Sequence, residues 1–177
     1  RDRASHCVGC KECVGHCPQK IDIPGEMARV DVIAESLRRG IPPAMSSLIA
    51  LLGKGDTSLV VDNGRLTTYT GRGVADLHRL LTEHPRMLQG ARVADKIVGK
   101  GAAALMILGG VKELYTPLIS RLALDLLSGY DIKTTYDKVI DHIVNRDKTG
   151  WCPIETLCRD LATPKECVTA ITEFLKK

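Results

Sequence analysis

Aromatic residues are scarce: one Trp, one Phe and four Tyr in 177 residues. That is too few for a platform on which successive bases stack. Charge of one sign is also lacking. The 25 Lys and Arg face 21 Asp and Glu for a net charge of +4, and the small excess is spread along the chain. These two shortages argue against a dedicated nucleic-acid protein. No apolar run approaches the roughly 18 residues of a membrane span, so no membrane association is expected. The opening Arg-Asp-Arg-Ala-Ser-His lacks the apolar segment of an export signal, and a cytoplasmic location is expected from it. Arg1 in place of an initiator Met leads to the expectation of a longer or processed parent chain. The remainder, 44% hydrophobic and 26% charged, is ordinary globular composition, enough for one domain with a small appendage.

Cysteine is unevenly placed. Of seven Cys, four form the run Cys7, Cys10, Cys13 and Cys17, followed by Pro18. Two-residue gaps leave little room for unstrained disulfides, and nothing points to an oxidising compartment. The same gaps let thiolates converge from a tight turn, with Val8-Gly9 and Val14-Gly15 as small residues for the wrap and Pro18 to stop it. C-x2-C-x2-C-x3-C-P is the bacterial iron–sulfur run, so these four Cys are expected to hold a 4Fe-4S cluster. Structural zinc, the rival, usually pairs two knuckles across a longer loop. His6 and His16 read as solvated neighbours. The spacing leaves open whether Cys17 closes the same cluster, serves a second one upstream, or yields to Cys152, Cys158 or Cys167.

The stretch CVGCKECVGHCPQKIDIP resembles the short ferredoxin-type segment at the C-terminus of some bacterial aldo/keto reductases, over residues 6–39. That resemblance implies electron transfer and either a redox partner protein or an upstream reductase domain.

Beyond the cysteines, periodicity predicts a helix carrying Met27, Val30, Ile33, Ala34 and Leu37 on one stripe, ended by Gly40 and Pro42-Pro43. A short helix from Ala44 to Leu52 follows. Ser58–Val61 and Arg65–Tyr69 read as strands of a hairpin around Asn63-Gly64. Val74 to Glu83 reads as an amphipathic helix. Residues 91–110, rich in Ala, Leu and Met, read as one helix, Val111–Tyr115 as a strand, Thr116-Pro117 as the start of a helix to Leu127, and Tyr130–Tyr136 as a strand. A charged helix or turn is expected through Ile143. Thr163, Pro164 and Glu166 form a capping signature for the last helix. The expected organisation is a module over 1–40, a connecting helix or linker over 41–55, and an α/β domain over 56–177.

The segments VADKIVGKGAAAL, VKELYTPLIS and VNRDKTGWCPIE resemble a bacterial and archaeal domain family of unknown function with a cytidine-deaminase-like fold, covering residues 56–177. The resemblance implies a three-layer sheet-and-helix domain. Zinc deaminases need H-x-E at one helix start and P-C-x-x-C at the next. The corresponding stretches here read Val93-Ala94-Asp95 and Pro117-Leu118-Ile119-Ser120-Arg121, without a thiolate or imidazole, so no zinc is expected. In that fold Asp95, Lys96, Lys100, Asn145, Cys152 and Glu155 would face one cleft, with Arg146 nearby, suited to an anionic or nucleotide-like ligand. Cys167 reads as a small buried apolar residue, and Gly99-Lys100-Gly101 is not a phosphate loop. The function expected is an iron–sulfur redox accessory protein with a zinc-less ligand-binding domain. The alternatives are a metal-free enzyme acting on a nucleotide-like substrate, or the C-terminal part of an aldo/keto reductase-type oxidoreductase.

Overall fold

A computed structural model describes residues 10–19, 21–71, 74–145 and 147–176. His6, Cys7, Val8, Gly9 and Arg146 lie outside the described residues. The chain divides after Ala50 into two units.

The first unit holds α1 (Glu12–His16), α2 (Ile23–Arg38) and most of α3 (Pro43–Leu52). Pro24 lies in the first turn of α2, where a missing N–H costs nothing. Gly40 ends α2 as its sequence predicts, with φ +71°. Gly40 N–H donates to the Leu37 carbonyl at 3.0 Å, and Ile41 N–H donates to that of Ser36 at 2.9 Å, a left-handed C-cap closed by a reach-back bond. The expected apolar stripe is not buried: Val30 is 51% and Leu37 49% exposed. Ser36 is buried instead, because its hydroxyl donates to the Val32 carbonyl at 2.8 Å and needs no water.

The second unit is a mixed α/β structure on a six-stranded sheet: β1 (Leu59–Asp62), β2 (Leu66–Tyr69), β3 (Arg92–Asp95), β4 (Ile97–Val98), β5 (Glu113–Ser120) and β6 (Lys133–Ile140). β1 pairs antiparallel with β2 on one side and β3 on the other. β3 and β4 run parallel to one flank of β5, and β6 runs parallel to the other. The β1–β2 hairpin turns at Gly64 with φ +81°, helped by the Asp62 carboxylate accepting Gly64 N–H at 3.1 Å. The helices are α4 (Ala75–Glu83), α5 (Lys100–Gly109), α6 (Arg121–Leu127), α7 (Pro153–Cys158) and α8 (Pro164–Leu175).

Three expectations are corrected here. Residues 91–110 are strand, break and helix: β3 and β4 come first, and α5 begins only at Lys100. Val93 and Ala94 are claimed by ladders to both β1 and β5, which outweighs the helix preference of alanine. Pro117 does not start a helix but lies inside β5. The ladders on both flanks of β5 skip Pro117, the one position with no N–H to give. The residues up to Ile140 are strand β6 rather than a charged helix or turn.

α5 is the hub of the unit, in contact with α4, α6, α7 and α8. Lys100 to Met106 are all buried. Gly101 permits this approach, since a Cβ there would lie 2.5 Å from Ile154 Cγ2 and 3.0 Å from Ile171 Cδ1. Leu59, Val61, Val93, Leu105, Leu114 and Ile119 belong to the same core, each burial stabilising by roughly 1.5–3 kcal/mol.

Candidate functional site

The cysteine segment turns on one short helix. Lys11 precedes α1 in a left-handed conformation, φ 64°, and Cys17 follows it in an extended one. Cys13 lies in α1. Cys10 and Cys13 are exposed and Cys17 is half-buried. Among the described residues nothing lies within 4 Å of where a Gly15 Cβ would be. Soft thiolate donors on so short a stretch suit iron–sulfur chemistry, which is the part of the fit that residue type supplies. Geometry does not supply the rest: among the described residues no three His, Cys, Asp or Glu side chains are gathered closely enough to hold a metal ion. Cys7 lies outside those residues.

The second unit contains a cavity of about 570 Å³, within the usual size of small-molecule sites. Of the residues singled out by sequence, Asp95, Lys96, Asn145, Cys152 and Glu155 line it. The Pro117 gap explains how Asp95 comes to do so. Pairing of β3 with β5 stops at Tyr115 and resumes with β4 at Leu118, leaving Asp95 and Lys96 unpaired with β5 between them. At the break Lys96 N–H donates to the Ser58 carbonyl at 3.1 Å. Asp95 Oδ1 accepts Ile97 N–H at 3.2 Å. The Asp95 carboxyl is buried, and that burial pushes its pKa up to about 7, only partly offset by the Ile97 N–H.

Glu155 is 1% exposed. Its Oε2 accepts Lys100 N–H at 2.8 Å, satisfying an orphan donor of the first turn of α5. Its Oε1 is buried and has no hydrogen-bond partner among the described residues. Gly99 makes room for this carboxylate, since a Cβ there would fall 2.4 Å from Oε2. Lys100 is not on the cavity wall. Its ammonium donates to the Arg159 and Leu161 carbonyls at 2.9 and 2.7 Å. Asn145 spends its amide inside its own loop, Nδ2 donating to Thr149 Oγ1 and Oδ1 accepting Thr149 N–H. Lys96 is exposed.

Sequence reasoning did not find Ser58 or Ile143 on the cavity wall. Ser58 enters because β1 lies beside β3, and its hydroxyl donates to the Gly71 carbonyl at 2.9 Å. No local signal marks it. Cys158 was likewise not paired with anything by its spacing. It is buried with Cys167 and donates a hydrogen bond to it, which together with burial raises the Cys158 thiol above its ordinary range.

The stretches set against the deaminase motifs are also relocated. Val93-Ala94-Asp95 lies on β3 and Pro117–Ser120 on β5. The helix starts that follow these strands carry Gly99, Lys100 and Gly101 at α5, and Ser120 and Arg121 at α6. Neither start has a thiol or imidazole.

A family model described as TM1506, a domain of unknown function (DUF1893), matches residues 47–175. The crystal structure of a DUF1893 family protein, TM1506, from Thermotoga maritima is similar with 27% sequence identity and a TM-score of 0.68. That similarity covers 73% of this chain and 88% of the other. No curated protein matches.

Proposed function

The chain belongs to the DUF1893 family of domains of unknown function, and from its own residues we propose an iron–sulfur redox accessory protein whose larger unit binds a small molecule. Cys7, Cys10, Cys13 and Cys17 would hold a 4Fe-4S cluster. When bound, such a cluster takes up and releases single electrons. The support for it is the cysteine spacing, together with the exposure of Cys10 and Cys13 on either side of the Lys11 turn. A redox partner protein, or a reductase domain in a longer parent chain, would exchange those electrons. The compartment in this reading is the cytoplasm.

The ligand part rests on one observation: a cavity walled by two buried carboxylates, of which Glu155 Oε1 lacks a partner among the described residues. An unpaired buried oxygen costs roughly 1–3 kcal/mol, and a ligand donor would relieve it. The nucleotide-like ligand read in the sequence loses two anchors here, because Lys100 and Asn145 are engaged elsewhere. We read the finer fold of this unit as cytidine-deaminase-like and without zinc. In favour are the antiparallel hairpin joined to parallel strands and the helix starts that lack thiol and imidazole.

A metal-free enzyme is the second reading. Asp95, with a pKa near 7 in a largely apolar cavity, has the poise of a general acid or base at neutral pH.

Anaerobic purification followed by iron and sulfide analysis tests the cluster. Iron and sulfide near four each per chain, lost in Cys10→Ser or Cys13→Ser, is the expected result. Zinc alone, or no metal, would overturn it. A thermal-shift and NMR fragment screen tests the cavity, with perturbed amides expected at Ala102, Ile154 and Glu155.

A further inference from the structure

The groups that face the cavity have a chemical sign. Asp95 and Glu155 bring carboxylates that are 8% and 1% exposed, and Asp147 adds a third on the exposed loop. Each buried carboxylate has one oxygen occupied by a backbone N–H, Asp95 Oδ1 by Ile97 and Glu155 Oε2 by Lys100. The other two oxygens, Asp95 Oδ2 and Glu155 Oε1, have no donor among the described residues. Lys100, the cation nearest in sequence to the helix start, is turned away and satisfied by two carbonyls. Lys96 is at the cavity but exposed, where solvent screens it. Between the carboxylates the wall is apolar, from Val74, Ala102, Ile143 and Ile154.

Neither buried carboxylate has an ion-pair partner among the described residues, and burial without one is expensive. The occupant that removes the most cost is one that brings positive charge and N–H donors together on an apolar body. We propose that this cavity is a site for a small organic cation, an amidinium or ammonium carried on a flat or aliphatic apolar group. Its N–H donors would meet Glu155 Oε1 and Asp95 Oδ2, and its apolar part would lie against Ala102, Ile143 and Ile154. An anionic ligand is disfavoured by the same two oxygens. This inference rests on the reading that the cavity holds a small molecule.

The test uses three near-isosteric probes that differ in charge: benzamidinium, benzamide and benzoate, titrated into the 177-residue chain at pH 8 by calorimetry. Benzamidinium is expected to bind at least tenfold tighter than benzamide, with no measurable benzoate binding. Glu155→Gln keeps an acceptor for Lys100 N–H and replaces the open acceptor by a donor. It is expected to bring benzamidinium down to the level of benzamide while keeping the fold. If that variant does not fold, Asp95→Asn, which keeps the acceptor for Ile97 N–H, is expected to weaken benzamidinium selectively. Equal binding of the three probes, or benzamidinium binding unchanged in both variants, overturns the inference. Fragment hits in the cavity that are only neutral or anionic also overturn it, while leaving the small-molecule reading intact. A screen with no occupant of any charge overturns both.

Discussion

Glu155 Oε2 accepts the backbone N–H of Lys100 at 2.8 Å, across 55 positions of sequence. This single bond fastens the start of α7 to the start of α5, and the second carboxylate oxygen of this cavity-lining residue is left buried without a partner among the described residues. Glu155→Ala removes the acceptor of a buried donor, so it should destabilise the chain by roughly 1–3 kcal/mol. Glu155→Gln should cost less than about 1 kcal/mol, because an amide oxygen takes over. Urea unfolding of the two variants side by side checks this ordering.

Asp95 supplies a pH dependence with a definite sign. Its folded pKa is raised from 3.8 to about 7, so between those values the folded state keeps a proton that the unfolded state has lost. Stability therefore falls as pH rises through this window. The penalty is absent below about pH 4 and complete above about pH 7, where it reaches on the order of 4 kcal/mol. Asp95→Asn should be more stable than the parent at pH 8 and level with it near pH 4. Unfolding midpoints across that range measure the difference.

Gly101 sets two effects against each other. Alanine is the better helix former by about 1 kcal/mol, yet its Cβ would sit 2.5 Å from the branched methyl Ile154 Cγ2, which cannot swing aside freely. Overpacking of this kind costs typically 1–3 kcal/mol. Gly101→Ala should lower the melting temperature, and a rise would mean that α7 yields more easily than the geometry indicates.

The cysteines should fall into two reactivity classes. With metal removed under reducing conditions, Cys10 and Cys13 should be alkylated rapidly, being exposed. Cys158 and Cys167, both 0% exposed, should react only when the chain unfolds. Peptide mass spectrometry after timed iodoacetamide treatment reads both classes in one experiment.

The last helix should depend on the residue that caps its start. Thr163 Oγ1 accepts Glu166 N–H, and the Glu166 carboxylate accepts Thr163 N–H at 2.8 Å. Thr163→Ala should cost about 1 kcal/mol, a fall of roughly 2–4 °C in melting temperature for a chain of this size.

Signals confined to a few adjacent residues were legible in the sequence. The Asn63-Gly64 hairpin and the Gly40 stop depend on glycines that adopt positive φ, the Thr163 capping box depends on side chains bonding to backbone close by, and each stands where the residues place it. Elements decided by distant partners were not legible. Val93 and Ala94 are strand because β1 and β5 lie on either side, and Pro117 is strand because its neighbours skip it. The cavity was half legible: Asp95, Lys96, Asn145, Cys152 and Glu155 do line it, while the direction of the Lys100 ammonium depends on carbonyls beyond α7. Ser58 had no signal of its own, since only the alignment of two strands brings it there.

The break between β3 and β4 lies opposite the one nitrogen of β5 that carries no hydrogen. Any other residue at position 117 would bring a backbone donor to the point where both flanking ladders skip. An imino acid in one strand thus stands beside a recess flanked by the next, without its own side chain being any part of the lining.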